Sequence, residues 1–317
     1  MKDNTILQGN SLIVLKDESL LPSGTIDMCM TSPPYWGLRD YGTASWEGGE
    51  IPDCKHDAAK EKSRYDYSMD TSPNQSQNKG TDAPRWKPIC PTCKAKKVDD
   101  QLGLEPTYQE YINKLCDIFD GIKRVLKPTG TCWVNLGDSY VDSELMQIPT
   151  RFAIEMANRK WILRNTIIWH KSSVMPTSIK NRYTVDFEYL FFFSKQPDYY
   201  FNTQYEPLTE KANKYSDTNF IPESDRRIRR SVWKINPQKM KGATHFATYP
   251  EELCRSPISA GCPIGGIVID PFSGTGTTGR VANEQKKRYI GIELNPSSIG
   301  LAEKRMGLGK FADKFMD

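Results

Sequence analysis

Gly266-Ile267-Val268-Ile269-Asp270-Pro271-Phe272-Ser273-Gly274-Thr275-Gly276-Thr277-Thr278-Gly279 decides the fold class. It opens with a short apolar, β-branched run that reads as a buried strand. The glycines that follow let backbone amides approach a ligand closely. A helix then opens within the motif, ahead of Ala282. Strand, glycine-rich turn and helix N-terminus form the layout of nucleotide and nucleoside sites in open parallel sheets. A glycine-rich loop alone is a weak signal. Here residues 288–295 follow, a further strand pattern ending in Glu293. An acid about twenty positions after such a loop is the expected partner for ribose hydroxyls. The chain has no Gly-x-x-x-x-Gly-Lys-Ser/Thr, so no phosphate-gripping lysine is built in. Asp270 also argues against a polyphosphate, because a carboxylate beside the glycines suits a ligand carrying positive charge.

Far upstream, Ile26-Asp27-Met28-Cys29-Met30 reads as another buried strand and runs into Thr31-Ser32-Pro33-Pro34-Tyr35-Trp36. Two prolines stop the strand and stiffen the turn. The turn offers the Ser32 hydroxyl, the Pro33 carbonyl with no amide on the next residue, and the Tyr35 ring. Together these can grip a planar base bearing an exocyclic amine. Read alone, the six residues serve equally well as a strand-ending turn.

With both motifs in view, the chain resembles the DNA amino-methyltransferases that methylate an exocyclic nitrogen. Ser32-Pro33-Pro34-Tyr35 is similar to their catalytic loop, and Asp270 to Gly279 to their methyl-donor loop. Residues 245–253 resemble the segment that closes over the methionine end of the donor. The catalytic motif precedes the cofactor motif, an order that resembles the beta group. The resemblance covers most of residues 1–200 and 241–305. It implies an α/β fold of the S-adenosylmethionine-dependent, Rossmann-like kind, with a mixed seven-stranded sheet flanked by helices. The implied donor, S-adenosylmethionine, carries a sulfonium and an amino group, as the Asp270 argument asks. The resemblance implies Asn10, Thr31, Asp270, Pro271, Phe272, Ser273, Gly274, Gly276, Thr277 and Glu293 as cofactor-binding residues. Asn10 departs from the commoner acid at its place. The implied reaction extrudes a base from duplex DNA and transfers the methyl group directly, in line.

Composition sets the remaining bounds. A chain of 317 residues is long enough for a single methyltransferase catalytic domain spanning 1–317 with insertions. A hydrophobic fraction of 38% is low for a globule, which places part of the chain in polar loops. A formal charge of +4 does not by itself indicate nucleic acid. Met1-Lys2-Asp3-Asn4 has no signal-peptide core, and no apolar run is long enough to span a membrane. The expected setting is the cytoplasm of a bacterium, nucleoid-associated, or a phage-encoded origin. Eight cysteines in a cytosolic enzyme point to thiols or metal rather than disulfides. Cys29, Cys116 and Cys132 sit in apolar patterns and read as core. None of the eight follows a proline, whereas the cytosine-carbon methyltransferases would need a Pro-Cys nucleophile by resemblance; this favours nitrogen as the target.

Residues 42–100 read as a polar insertion with Gly48-Gly49, scattered prolines and a tract around Ser72 to Asp82. Within it, Cys54-Lys55-His56 and Cys90-Pro91-Thr92-Cys93 supply four ligand types that could hold one structural zinc. A zinc would staple a segment too small and polar to build its own core. The Cys-x-His spacing is tighter than usual, and four unconnected loop residues is the alternative.

Apolar spacing predicts a helix over 106–126, stopped by Pro128-Thr129-Gly130. A strand follows at 131–136, with Asp138 beyond its end as either a site residue or a cap. A helix is predicted at 147–160, and strands at 162–169 and 187–193. Residues 170–176 resemble a loop bordering the target-base pocket, making His170 and Lys171 candidates for base or phosphate. Residues 201–240 carry Arg226-Arg227-Ile228-Arg229-Arg230 and read by position as the target-recognition region. Arg226, Arg227, Arg229 and Arg230 suit phosphate contacts and guanine reading, although charge runs are usually solvated faces.

Ser32 resembles the cytosine-N4 enzymes, whereas the adenine enzymes usually place Asp or Asn there. A hydroxyl can donate as well as accept, while a carboxylate mainly accepts. The expected activity is therefore N4-cytosine methylation of double-stranded DNA, with N6-adenine methylation as the alternative. An RNA or small-molecule N-methyltransferase and a catalytically dead DNA-binding module are the rivals. The long insertion and arginine-rich segment favour a large anionic substrate, and both motif groups are intact. A homodimer and a separate restriction endonuclease are the further partners the resemblance allows.

Overall fold

The strand-like runs assemble into one mixed sheet of eight strands. In chain order they are β1 (Thr5–Gln8), β2 (Ile26–Thr31), β3 (Leu126–Leu136), β4 (Ile162–His170), β5 (Phe187–Ser194), β6 (Val232–Lys234), β7 (Ile267–Asp270) and β8 (Arg288–Glu293). This computed structural model describes residues 4–37, 43–61, 85–87, 89–174, 176–208, 226–237 and 249–308. The spatial order is β1-β8-β7-β2-β3-β5-β4-β6. β5 is antiparallel to both neighbours, and every other adjacent pair is parallel. The mostly parallel α/β sheet is as expected, but it has eight strands rather than seven. The extra strand is β6, which lies within 201–240 and pairs with β4. Part of the expected recognition region is thus the sheet's own edge.

Helices cover both faces: α1 (Ser11–Val14), α2 (Tyr108–Val125) and α3 (Ile148–Asn158) on one, α4 (Glu251–Gly261), α5 (Thr277–Glu284) and α6 (Pro296–Met306) on the other. Successive side chains of a strand point to opposite faces, and the core divides accordingly. On β2, Ile26 and Cys29 join the first face's core while Met28 and Met30 join the second's. On β5, Phe191 and Phe193 face α3 while Leu190 and Phe192 face away, with Phe192 stacked on Trp133 at 4.0 Å. Strands buried on both faces read as continuous apolar runs for this reason. Cys29, Cys116 and Cys132 are core residues, as the pattern implied.

α2 buries Tyr111, Ile112, Leu115, Cys116, Ile118, Phe119, Ile122 and Val125, the stripe expected from helical spacing. Thr107 caps it by accepting from the Glu110 amide at 3.3 Å. The helix ends at Val125 and passes straight into β3. Pro128-Thr129-Gly130, expected to lie between helix and strand, falls inside β3 instead. There the pairing slips, with Ile26 opposite Leu126 but Met28 opposite Thr131. A bulge of this kind accepts a proline that a regular ladder would not. Nearby, Asp27 accepts from the Ile267 amide at 2.9 Å and from Lys127 at 2.6 Å, tying β7 and β3 to β2.

The insertion forms a separate small unit in which Ser45–Glu47 pairs antiparallel with Lys96–Val98. Among its described residues the fully buried ones are Ala59, Cys90, Cys93 and Ala95. The tract around Ser72 to Asp82 lies outside the described residues. Among the described residues, no helix is long and apolar enough to cross a membrane.

Candidate active site

Sheet order brings the two motifs together. β2 and β7 are hydrogen-bonded neighbours, with Met28 opposite Val268 and Cys29 opposite Ile269. Their carboxyl ends meet where Thr31 donates to Asp270 Oδ1 at 2.5 Å, a contact 239 positions apart in sequence. The ligand crevice of an open α/β sheet lies at such strand ends.

The glycine-rich turn is shaped by its surroundings. Gly276 has φ +77°, and a Cβ there would lie 2.9 Å from Ala302 of α6. Arg305 of α6 braces the turn, donating to the Thr275 carbonyl at 3.1 Å and the Thr277 hydroxyl at 3.2 Å. Among the described residues no side chain caps the N-terminus of α5, which leaves its first amides without an intrahelical partner. Glu293, at the end of β8, accepts from Gly274 at 2.7 Å and Asn295 at 2.8 Å. Burial pushes its carboxyl above the usual range, and the amides of Asn295, Gly274 and Leu294 work against that shift. Asn10 caps α1 by accepting from Leu12, and Ser11 next to it donates to the Pro271 carbonyl.

Asp270 requires a correction. It was expected beside the glycines facing a cationic ligand, but it is 1% exposed and turned inward. Its oxygens are taken by Thr31, by the Phe272 amide at 3.0 Å, by Thr278 at 2.6 Å and by Tyr249 at 3.2 Å. Burial pushes its carboxyl up, and these four donors work against that shift. The residue anchors the loop, because a buried carboxylate is stable only when its lone pairs are filled. Of the expected donor-closing segment, Tyr249 and Pro250 lead into α4, and residues 245–248 lie outside the described residues.

The proline turn is fastened from several sides. Tyr111 donates to the Pro34 carbonyl at 2.8 Å, and Ser139 to the Trp36 carbonyl at 2.8 Å. Trp36 Nε1 donates to the Glu105 carbonyl, and the Gly37 amide to the Gly103 carbonyl, each at 2.9 Å. Among the described residues no donor reaches the Pro33 carbonyl. The Tyr35 ring lies against Gly137, where a Cβ would come within 2.6 Å of it.

Behind the turn lies a polar network inside the sheet. Tyr35 Oη donates to Glu188 Oε2 at 2.6 Å. Asn135 Nδ2 donates to the same oxygen at 3.1 Å and to the Tyr189 carbonyl at 3.0 Å. Ser32 Oγ lies 3.2 Å from Asn135 Oδ1 and 3.4 Å from Tyr35 Oη. Lys171 closes the network with an ion pair to Glu188 Oε1. Burial alone would raise Glu188, but the Lys171 charge and the bonds from Lys171, Tyr35 and Asn135 hold its carboxyl below the usual range. Burial and the Glu188 charge push the Tyr35 phenol well up, so it stays protonated.

The other candidates divide. Lys171 is 6% exposed and committed to Glu188, not to a surface that phosphate could reach. His170 ends β4 with Nε2 3.2 Å from Asp186, and Met175 lies outside the described residues. Arg226–Ile228 pairs with Tyr205–Pro207. Arg227 and Arg230 both bond Glu206, at 2.8 and 2.6 Å, while Arg229 stacks on Trp233 at 4.3 Å. Asp138 accepts from Ser139 and from Ile148 at the start of α3, which makes it a cap. Cys54, His56, Cys90 and Cys93 converge, with ligand atoms all within 4.8 Å of one another.

Asn135, Gly137 and Glu188 were not read from the sequence as site residues. Glu188 left a signal: it interrupts Phe187-Glu188-Tyr189-Leu190-Phe191-Phe192-Phe193, and an acid in an apolar strand needs a buried partner. Asn135 and Gly137 left none, because their roles arise from contacts across the sheet.

A crevice at the carboxyl ends of an open sheet, with a glycine-rich turn on one strand and a Ser-Pro-Pro-Tyr turn on the next, defines a methyltransferase architecture. The sequence model of the N6/N4 family described as DNA methylase matches residues 26–304. The chain belongs to that family and is a DNA methyltransferase of the N4/N6 type. It is 31% identical to the type II methyltransferase M.XycI of Xanthomonas campestris pv. cyanopsidis, over 96% of this chain and 88% of that one. It is 32% identical to the type II methyltransferase M.SmaI of Serratia marcescens, over 90% and 86%. The PvuII DNA methyltransferase (cytosine-N4-specific) shares the fold at a TM-score of 0.62 and 18% identity, over 96% of this chain and 86% of that one. A DNA modification methylase of Thermus thermophilus, solved in complex with S-adenosyl-L-methionine, shares it at 0.56 and 20%, over 96% and 93%.

Proposed function

We propose that the enzyme transfers a methyl group from S-adenosylmethionine to N4 of cytosine in duplex DNA. The observation that carries this reading is Ser32, a hydroxyl beside the Pro33 carbonyl at the mouth of the crevice, where the adenine enzymes resemble one another in an acid or amide. The N4-specific PvuII enzyme, a relative in fold, supports it. S-adenosylmethionine fits the residues present: the open N-terminus of α5 and residues 271–277 face one side, and Glu293 offers lone pairs for ribose hydroxyls. When bound, it supplies an electrophilic methyl group and departs as a neutral thioether.

The target base must leave the stack, since its amine cannot be reached inside the duplex. Tyr35, backed by Gly137, gives the extruded ring a surface. Ser32 and the Pro33 carbonyl accept hydrogen bonds from the amine; the N–C bond forms as the S–C bond breaks, and the proton the nitrogen then sheds goes to water. The amine lone pair is delocalised into the ring, so it is a poor nucleophile. Acceptors on its hydrogens favour charge on nitrogen as attack proceeds, which stabilises the transition state. The rigid turn makes that geometry available without reorganisation. Nuclease digestion and mass spectrometry of DNA from expressing cells tests the assignment. N4-methylcytosine is expected, and N6-methyladenine alone overturns it.

Residues 201–240 carry target recognition in this reading, with Arg226, Arg227, Arg229 and Arg230 toward the phosphates, and His170 at the pocket's border. Changing the four arginines to alanine should weaken DNA binding and flatten its salt dependence. The type II relatives support a restriction–modification setting, in which a separate endonuclease is the expected partner.

The cysteine–histidine cluster is read as a structural zinc site. Cys54 Sγ and Cys90 Sγ lie 3.9 Å apart, and Cys93 Sγ lies 3.4 Å from His56 Nδ1. Tetrahedral zinc separates two thiolates by about 3.8 Å at its usual bond lengths. The Cys90 thiol is drawn down to about 6 by the Cys93 amide and its neighbours, although burial opposes this. Trp46 stacks on His56 at 4.3 Å and covers the cluster. Elemental analysis of protein purified without chelator should find about one zinc per chain; no stoichiometric metal removes the site.

A further inference from the structure

The network behind Ser32 contains more donors and acceptors than a packing role requires, and its protons can be placed one by one. Glu188 is charged, because Lys171 is buried against it. Tyr35 has a single proton. It lies 2.6 Å from the Glu188 carboxylate and 3.0 Å from Asn135 Oδ1, and the shorter, charge-assisted bond takes it. The Asn135 amide has one workable orientation. Its nitrogen must face Glu188 and the Tyr189 carbonyl, since its oxygen there would meet two acceptors. Tyr35 and Asn135 therefore have no proton left for Ser32. Toward it they present only lone pairs, from Asn135 Oδ1 at 3.2 Å and Tyr35 Oη at 3.4 Å.

We propose that Asn135 and Glu188 are positioning residues that turn the Ser32 proton inward, so that Ser32 meets the target base only as an acceptor. A hydroxyl free to rotate could serve an amine or a carbonyl. Fixed this way, it favours a base whose reacting edge carries N–H and repels one that carries a ring carbonyl oxygen. The arrangement would thus discriminate cytosine from uracil or thymine as well as prepare the amine for attack. This rests on the reading that Ser32 faces the base.

The test begins by mapping the modified base and its site in DNA from expressing cells. Duplexes are then made with that base or its carbonyl counterpart at the target, uracil for cytosine and hypoxanthine for adenine. Affinity for each is measured with S-adenosylhomocysteine present, for the wild type, Asn135→Leu, Ser32→Ala and the double variant. In Asn135→Leu the amine-over-carbonyl ratio should fall about fivefold or more, as Ser32 becomes able to donate. Its kcat should fall about 10–100-fold with the KM for duplex nearly unchanged. In the Ser32→Ala background, Asn135→Leu should leave the ratio unaltered, because coupled residues are non-additive. Asn135→Ala serves if the leucine variant does not fold. An unchanged ratio in the folded variant, even with a lower kcat, overturns the proposal. So does a change in ratio that persists without Ser32. Adenine as the mapped base would instead overturn the cytosine assignment, and full activity of Ser32→Ala would overturn the reading of Ser32 itself.

Discussion

The crevice turn at 32–37 and the cysteine–histidine unit at 43–61 and 89–100 are both irregular segments, yet they are held by opposite means. The crevice turn is gripped by α2, β3, β5 and the 103–105 loop, through hydrogen bonds with residues about 66 to 153 positions away in sequence. Among its described residues the insertion has four fully buried small residues, two of which are the thiols Cys90 and Cys93. Packing and long-range hydrogen bonds fix the first, while the second has a short two-stranded ladder and the cysteine–histidine cluster. A segment that carries chemistry can therefore be held without metal when a large sheet surrounds it, while a longer, peripheral one with little apolar core gains most from a cross-link.

The largest effect should come from breaking the charge pair beneath the crevice. Lys171→Met leaves the buried Glu188 carboxylate without its cation and should cost about 3–5 kcal/mol in chemical denaturation. The pH dependence follows from the lowered Glu188 carboxyl. A carboxyl lowered by folding gives stability that is full above its ordinary value and lost as pH falls through the folded value. Without Lys171, burial should push the Glu188 carboxyl above its usual range, so the gap between wild type and variant should shrink as pH falls through that raised value and on through the lowered wild-type one. A gap that does not change with pH would break this account.

Ser32→Ala comes next. It removes one transition-state acceptor and should lower kcat about 10²–10³-fold with the melting curve unchanged. Gly137→Ala should displace the Tyr35 ring, since the new Cβ would lie 2.6 Å from it. A cost of about 1–3 kcal/mol in stability is the usual scale of overpacking, and methylation should fall with it.

Cys93→Ser sharpens the comparison from the other side. It should release the zinc and expose 43–61 and 89–100 to protease. The main unfolding transition should move by less than about 1 kcal/mol, as for a locally unfolding unit. A cooperative loss of the whole fold would mean the two regions are not independent. The smallest effect belongs to Arg230→Ala. Its exposed pair with Glu206 should contribute about 0–1 kcal/mol to stability, so a drop in DNA affinity would report contact rather than folding.

Ser32-Pro33-Pro34-Tyr35 and the turn at 270–279 were legible because each is written in consecutive residues whose backbone demands are local. The buried strands and the α2 stripe were legible through period and alternation. The cysteine–histidine set was legible through spacing. Asp270 was misread because its neighbours in sequence are glycines, while its neighbours in space are Thr31, Tyr249 and Thr278. Lys171 looked like a surface cation because nothing adjacent showed Glu188 seventeen positions on. The eighth strand was hidden in a polar segment because β6 is three residues long and takes its register from β4.

Sequence by itself disclosed the mixed α/β sheet, the Ser-Pro-Pro-Tyr and glycine-rich turns, and the four cysteine and histidine residues that the fold brings together. Tertiary structure alone decided which groups face the ligand and which face inward. It put β2 beside β7, turned Asp270 into an anchor and placed Glu188, Asn135 and Lys171 behind Ser32. The physical reason is that backbone propensity acts over a few residues, whereas the proton and charge of a buried side chain are set by whatever partners the folded chain brings within about 3 Å.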